Sequence, residues 1–526
     1  MKALLSPLHQ CARQHPSQIA LTYIHDGVNQ QIDYSTLSHR VIALGEQLTA
    51  KGLGKGDRLA CIDNNSVELV MLYWACIDHQ ILFCPLSPRF PASQVLALIE
   101  LHRLNFLWTG EGFTELSSEV SVSRSEPNAE TTKLTSVTLD FSLKSNNTPA
   151  QIDRHAPANI ILTSGSSGQP KAAVHSLNNH RASAEGSRSL ISLEPGDSWL
   201  LSLPLFHIGG LAIINRCAFV GATVVLQDRD VGLSIQIQLD KITHLSLVST
   251  QLVRLLKEDA DSLKGVKYLL LGGGAISSSL LSQLNDLSIN CFTSYGMTEM
   301  ASQITTGTAY SDGSSGRLLP SRELKIIDEK IYVKGETLFL GYLDAQAQTN
   351  ELAQTHEQAQ VHEQAQVHEQ AQVHEQGSGA HGACKLTLPT DEDGWFFTKD
   401  RGYWDTEGKL HILGRIDNMF ICGGENLQPE EVEAALKQHP AIEDAIVFAQ
   451  TDEEFGNLPA AIVKVSHSKN AQPSNDELTQ FLADKIARFK RPRVYYPWPN
   501  VESASLKVSR KDVIEAVVQR ELGSKS

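Results

Sequence analysis

The sequence predicts an α/β protein in two parts. A large N-terminal domain of helix-flanked mixed sheets carries a small antiparallel β subdomain, and a small α+β C-terminal domain follows it. Three observations carry that expectation. The chain has 526 residues, whereas one hydrophobic core saturates near roughly 250–300. Short apolar runs alternate with helix-period segments along most of its length, the rhythm of βαβ units. Near 325–343 that rhythm gives way to "LKIIDEKIYVKGETLFLGY", strands separated by turn residues.

In chain order, "MKALLSPLHQCARQHPSQIAL" reads as an amphipathic helix with polar interruptions. "YSTLSHRVIALGEQLTAKG" has helical periodicity, and "DRLACID" and "ILFCPL" are short strands. Residues 115–155, rich in Ser, Thr, Asn and Glu, read as an exposed connection. From 158 to 340, "WLLSLPL", "ATVVLQD", "THLSLVS", "VKYLLLGGG" and "INCFTSYG" again alternate with helices. From His356 to Gln376 the hexapeptide HEQAQV repeats. Each copy advances a helix by about 240°, so its valines build no apolar stripe. The expectation over 353–383 is a surface insertion, disordered or a solvated helix; metal capture by His356, His362, His368 and His374 is the competing reading. "GWFFTKDRGYWDTEGKLHILGR" then reads as strand, turn, strand. "IDNMFICGGENLQPEEVEAALKQHP" reads as strand, glycine loop and a helix entered at Pro429, with Glu430 and Glu431 where the helix dipole favours them. Strand–helix alternation continues to the end, and the expected domains are 1–415 and 416–526.

The net charge of −15, from 45 basic and 60 acidic side chains, disfavours nucleic acid, which is bound largely by neutralising phosphates. Small anionic substrates need only a local cationic pocket. The eight cysteines are scattered without CxxC spacing, the usage expected of buried, reduced thiols. No stretch approaches the roughly 18 apolar residues of a membrane span. The N-terminus lacks a signal-peptide core. These features point to the cytoplasm and are compatible with a homo-oligomer.

The segment "ILTSGSSGQPKAAVHS" runs from an apolar strand into six consecutive small residues, then a proline and a lysine. Gly165 and Gly168 let the backbone turn and bring its N–H groups to a ligand. Thr163, Ser164, Ser166 and Ser167 add hydroxyls, and Lys171 adds a point charge. The set suits a polyphosphate; a flexible Gly/Ser turn is the plainer reading. A P-loop needs GxxxxGK[ST] opening a helix, and Pro170 with Ala172 after Lys171 excludes it.

Further segments follow in order: "LPLFHIGGL" with His207, "YLLLGGGAI" with Gly272, Gly273 and Gly274, and "SYGMTEMAS" with Tyr295, Gly296, Met297, Thr298, Glu299 and Ser302. Then come "TKDRGYW" with Asp400, "GRIDNMFICGGENLQPEEVE" with Arg415, Asp417, Gly423 and Gly424, and "SLKVSR" with Lys507. Together they resemble the adenylate-forming superfamily of acyl-CoA synthetases, adenylation domains and luciferases, over nearly the whole chain except the repeat. The resemblance implies an acid–thiol ligase with ATP and CoA as co-substrates and Mg2+ as the metal. It implies that Lys171 and the loop hold phosphates and that Glu299 with Thr163 places Mg2+. Gly272 to Gly274 and Tyr295 flank adenine, Asp400 accepts from ribose with Arg415 nearby, and His207 lies beside the acid. Lys507 bridges carboxylate and α-phosphate; many members read Ser-Gly-Lys where this chain has Ser505-Leu506-Lys507. Asp417 marks a hinge of a mobile C-terminal domain, which alternates Lys507 with the Gly423–Gly424 loop at the CoA channel. For single residues the plainer readings are a solvated charge for Glu299, a surface ion pair for Asp400 and a satisfied core histidine for His207.

Within that superfamily "LPLFHIGGLAIINR", "THLSLVSTQLVRLL", "GMTEMASQ" and "DEEFGNLPAA" look most like the 2-succinylbenzoate–CoA ligases of menaquinone biosynthesis. Their substrate is an aryl dicarboxylate, so a second carboxylate needs a permanent partner. Arg216, inside the otherwise apolar "LAIINRCAFVGA", is the candidate, with an internal salt bridge or a snorkelling side chain as the alternative. Thr250 and Ser302 are further donor candidates. The rival activities are an aryl or medium-chain fatty acyl-CoA ligase and, from another class, a non-catalytic nucleotide-binding regulator.

Overall fold

The computed structural model describes residues 4–524 except 116–133, 164–169, 273–280, 282, 285–288, 310–312, 345–371, 377–383, 417–418, 428, 453–455, 466–472 and 500–509. The chain divides into two compact units, one built on residues 1–88, 98–163 and 171–414, the other on 415–526 with 89–97 grouped to it.

Two nine-stranded sheets frame the first unit. One has a parallel centre of Ile19–His25, Thr223–Leu226, Ser198–Leu201, His244–Leu247, Tyr268–Leu271 and Cys291–Met297. Antiparallel strands close its edges, Val28–Asp33 on one side and Ser302–Thr308 then Arg317–Leu318 on the other. The second sheet runs parallel through Pro157–Thr163, Leu82–Leu86, Arg58–Ile62, Phe106–Thr109 and Thr135–Ser136. Beyond Pro157–Thr163 it turns antiparallel with Lys171–Ser176, Gly341–Leu343, Cys384–Leu388 and Gln372–Gln376. A four-stranded sheet, Arg322–Ile327, Lys330–Gly335, Phe396–Trp404 and Leu410–Arg415, forms the expected β subdomain. Gly341–Leu343, which the sequence pattern grouped with that subdomain, belongs to the second large sheet instead.

The helices between strands are set by their own sequence. Val67–His79 is apolar on nearly every side and is buried throughout the core. Ser66 caps it by accepting from the Leu69 N–H, and Gln80 ends it in the left-handed region at φ 54°. Tyr73, Trp74, Phe83 and Trp199 anchor the main apolar cluster, each worth roughly 1.5–3 kcal/mol on burial. Leu177–Arg188 opens on a reciprocal Ser176–Asn179 cap, and Asn179 also donates to the Glu336 and Leu338 carbonyls. That bond fixes the approach to Gly341–Leu343.

The second unit packs the antiparallel pair Ile442–Asp452 and Gly456–Val465, joined in parallel by Val494–Pro497, against helix Pro429–Leu436. Val432, Leu436, Val447, Ala461 and Leu478 form its core.

The described end of the repeat tract departs from the sequence expectation. Gln372–Gln376 is a strand paired with Cys384–Leu388 rather than disordered or helical. A period of six is out of phase with a helix but a multiple of the strand period of two, which a strand accommodates. His356, His362 and His368 lie outside the described residues, as does the side chain of His374. Cys11, Cys61, Cys76, Cys84, Cys217, Cys291 and Cys422 are free and buried. No described helix is long and apolar enough to cross a membrane.

Candidate active site

The Gly/Ser loop joins two antiparallel strands. Thr163 ends Pro157–Thr163 directly opposite Lys171, the first residue of Lys171–Ser176. A P-loop would open a helix there, so the geometry agrees with its rejection. Ser164, Gly165, Ser166, Ser167 and Gly168 lie outside the described residues. The Lys171 ammonium stands 4.8 Å over the ring of Tyr342. Tyr342 Oη in turn donates to Glu299 Oε1 at 2.5 Å. One tyrosine thus links the loop's cation to the carboxylate expected to face the metal. Sequence reasoning missed Tyr342; its only signal was the "FLGYL" run beside the subdomain.

Glu299 sits in a one-turn helix, Thr298–Met300, and is 7% exposed, so it is not a solvated loop charge. The turn is tight. A Cβ on Gly296 would meet the Ser302 carbonyl oxygen at 2.0 Å, and Ala301 and Ser302 take φ of 50° and 105°. The Glu299 carbonyl accepts from the Phe339 N–H at 2.8 Å, and the Ala301 carbonyl from Ser183 Oγ at 2.6 Å. Glu299 and Thr163 offer oxygen donors only, the chemistry Mg2+ takes with one or two carboxylates plus phosphates and water.

Tyr295 and Asp400 meet directly. Tyr295 Oη donates to Asp400 Oδ2 at 2.6 Å, and both residues are buried. Asp400 is therefore no surface ion pair; its neighbour Arg401 pairs with Glu329 instead. Tyr295, Met300, Phe339 and Phe396 share one apolar cluster, with Met297 and Tyr342 packed against it, so the Glu299 and Asp400 groups rest on common support. Gly272 follows Tyr268–Leu271; Gly273 and Gly274 are outside the described residues.

His207 is the N-cap of helix Ile208–Val220, its ring packed on Phe206 with centroids 4.7 Å apart. It is half-buried rather than sealed in the core. Asn65, also missed in the sequence, holds the loop before it by donating to the Leu201 and Leu203 carbonyls and accepting from the Leu205 N–H. On the same helix Arg216 is 4% exposed. Nη2 donates to Gln303 Oε1 at 2.6 Å, and the guanidinium lies 5.1 Å over Trp199. It pairs with no carboxylate among the described residues, and its Nε has no hydrogen-bond partner. Burial pushes its pKa down to about 10. Arg322, whose Nε donates to the Gln303 carbonyl, is pushed down to about 9, by burial first and then by the charge of Arg216. Arg216 opens on a cavity of about 120 Å³ with Trp199, Ile191, Leu193 and Phe219 among its apolar walls and Glu185 and Arg188 among its charged ones; His207 and Ser302 do not line it. Ser302 begins its strand, and Thr250 lies in helix Ser249–Asp259, its side chain outside the described set.

In the second unit Gly423 and Gly424, at φ 57° and 83°, make the two-residue turn between Phe420–Cys422 and Glu425–Leu427. Two consecutive positive φ values favour glycine at both places. Arg415 ends its strand with its side chain undescribed, and Asp417 and Lys507 lie outside the described residues.

Residues 8–343 match the AMP-binding enzyme family and 431–504 match the AMP-binding enzyme C-terminal domain. The 2-succinylbenzoate–CoA ligase of Haemophilus influenzae is 31% identical, with 96% of each chain covered. The o-succinylbenzoate CoA synthetase of Bacillus subtilis, a double mutant bound with the product analogue OSB-NCoA, superposes with a TM-score of 0.79 at 27% identity, covering 98% of this chain and 99% of that one. The same Bacillus enzyme in complex with ATP and magnesium ion gives 0.64 at 27%, covering 98% and 100%. The chain belongs to the AMP-binding enzyme family and is an adenylate-forming acyl-CoA ligase.

Proposed function

We propose that the chain activates 2-succinylbenzoate as its acyl-adenylate and transfers the acyl group to CoA, releasing AMP and diphosphate, as a step of menaquinone biosynthesis. The observation that carries this reading is Arg216. Its buried guanidinium is answered by a neutral amide and an indole face, which leaves its charge for an anion. A substrate with a second carboxylate supplies one; a simple fatty or aryl acid does not. The likeness to 2-succinylbenzoate–CoA ligases over 96% of the chain supports the same choice.

In the first half-reaction the acid's carboxylate oxygen attacks the α-phosphorus and diphosphate leaves. Two anions must approach, so positive charge has to be in place beforehand. Lys171, held over Tyr342, takes the outer phosphates with the loop N–H groups. Bound Mg2+ neutralises phosphate charge, with Glu299 and Thr163 as its protein donors. Asp400, fixed by Tyr295, accepts from ribose hydroxyls. Lys507 stabilises charge developing between carboxylate and phosphate, His207 borders the reacting carboxyl, and Arg216 holds the distal one. In the second half-reaction the CoA thiolate attacks the acyl carbon and AMP leaves.

The test is diphosphate release and thioester formation across mono- and dicarboxylic aryl and aliphatic acids. Turnover of 2-succinylbenzoate at least ten-fold above hexanoate, coumarate or benzoate is expected. Equal or better turnover of a monocarboxylic acid would sink the assignment.

A further inference from the structure

A buried chain of side chains runs behind the Glu299 turn. His175 Nε2 lies 2.7 Å from the Thr298 carbonyl oxygen, so that nitrogen carries a proton and donates. Nδ1 is then the acceptor, facing Asn159 Nδ2 at 3.4 Å. Asn159 Oδ1 accepts from His180 Nε2 at 2.7 Å. Each link fixes the tautomer or flip of the next, and all three side chains are 1% exposed or less. Burial pushes His175 down to about 4 and His180 well below its ordinary value, so both rings are neutral at physiological pH.

The chain ends on the residue that precedes Glu299, in a turn whose φ values at Ala301 and Ser302 need support from outside. His175 also shares a strand with Lys171. Residues four apart on a strand face the same side about 13 Å apart, and Tyr342 pairs between them, opposite Ala173. One strand therefore carries the phosphate-facing ammonium at one end and the anchor of the carboxylate turn at the other.

We propose that His175 is a positioning residue for the metal site: by holding the Thr298 carbonyl it sets Glu299 at a fixed separation from Lys171, and so tunes how Mg2+ and the nucleotide's phosphates are held together. The inference rests on the reading of Glu299 as a metal donor.

The experiment is equilibrium titration of ATP into the full chain, without acid, in the presence and absence of Mg2+. His175→Met keeps the volume but removes the donor. It is expected to cut the Mg2+-dependent gain in ATP affinity about ten-fold, the usual scale for an outer partner of a metal ligand, with affinity in the absence of Mg2+ within two-fold of the parent. His175→Gln, whose amide reaches the Thr298 carbonyl, restores most of the gain. His175→Asn, too short for that carbonyl, behaves as Met does and replaces it should the thioether variant misfold. An unchanged Mg2+ gain in His175→Met, or equal losses in the Gln and Met variants, overturns the proposal. Glu299→Gln separates the two levels. If it removes the gain and His175→Met does not, only the role of His175 falls; if it leaves the gain intact, Glu299 is not the metal donor and both readings fall.

Discussion

Arg216 shows how much a single buried charge implies. Removing a guanidinium from water costs several kcal/mol, and an amide oxygen with an indole face returns only part of it. The cost rises with Arg322 bound to the same Gln303. An internal salt bridge or a snorkelling side chain was the alternative expectation; Arg216 is instead buried with a neutral amide as its partner. Arg216→Leu is therefore expected to raise the KM for 2-succinylbenzoate at least ten-fold, leave the KM for ATP within two-fold, and not lower the melting temperature. Steady-state kinetics with a thermal melt checks all three. A large loss of stability with an unchanged KM would make Arg216 a structural residue.

At the level of elements, strand Lys171–Ser176 and helix Leu177–Arg188 bring His175 and His180 into one unprotonated pair. Their folded pKa values lie below the unfolded value near 6.5. Between that value and about 4 the unfolded chain binds more protons than the native one, so stability is complete above pH 6.5 and falls as pH drops. Each ring contributes a slope of about 1 kcal/mol per pH unit. Denaturant titrations at pH 7.5, 6 and 5 should show the fall, with a shallower slope in His175→Gln; equal slopes would deny that His175 titrates in this way. The strands and helices themselves were legible in the sequence because their periodicities are local. "VKYLLLGGG" and "INCFTSYG" did become neighbouring parallel strands. Tyr342, Asn65 and Gln303 were not legible, since each acts on a segment far away in sequence: Tyr342 on Glu299, Asn65 on the His207 loop, Gln303 on Arg216. Of the repeat only Gln372–Gln376 is described, and its strand was not foreseen because the helix was the period weighed against it, whereas six is a multiple of the strand period of two.

For the whole molecule, the two half-reactions need different groups at one acid. In the proposed cycle Lys507 serves the first and the Gly423–Gly424 turn the second. Lys507→Ala is expected to lower adenylate formation by at least 100-fold, the scale of removing a group that meets developing charge, while thioester formation from supplied acyl-adenylate stays within a few-fold. Equal losses in both halves would contradict that division of labour.

The central claim is that this chain adenylates an acid chosen by its second carboxylate. Exchange of labelled diphosphate into ATP, with Mg2+ and without CoA, measures it most directly when 2-succinylbenzoate is set against 3-benzoylpropionate, the same keto acid without the ring carboxylate. Strong exchange with the first and at least ten-fold less with the second is the expected result, the gap closing in Arg216→Leu. Equal exchange with both acids, or none with either, would contradict it.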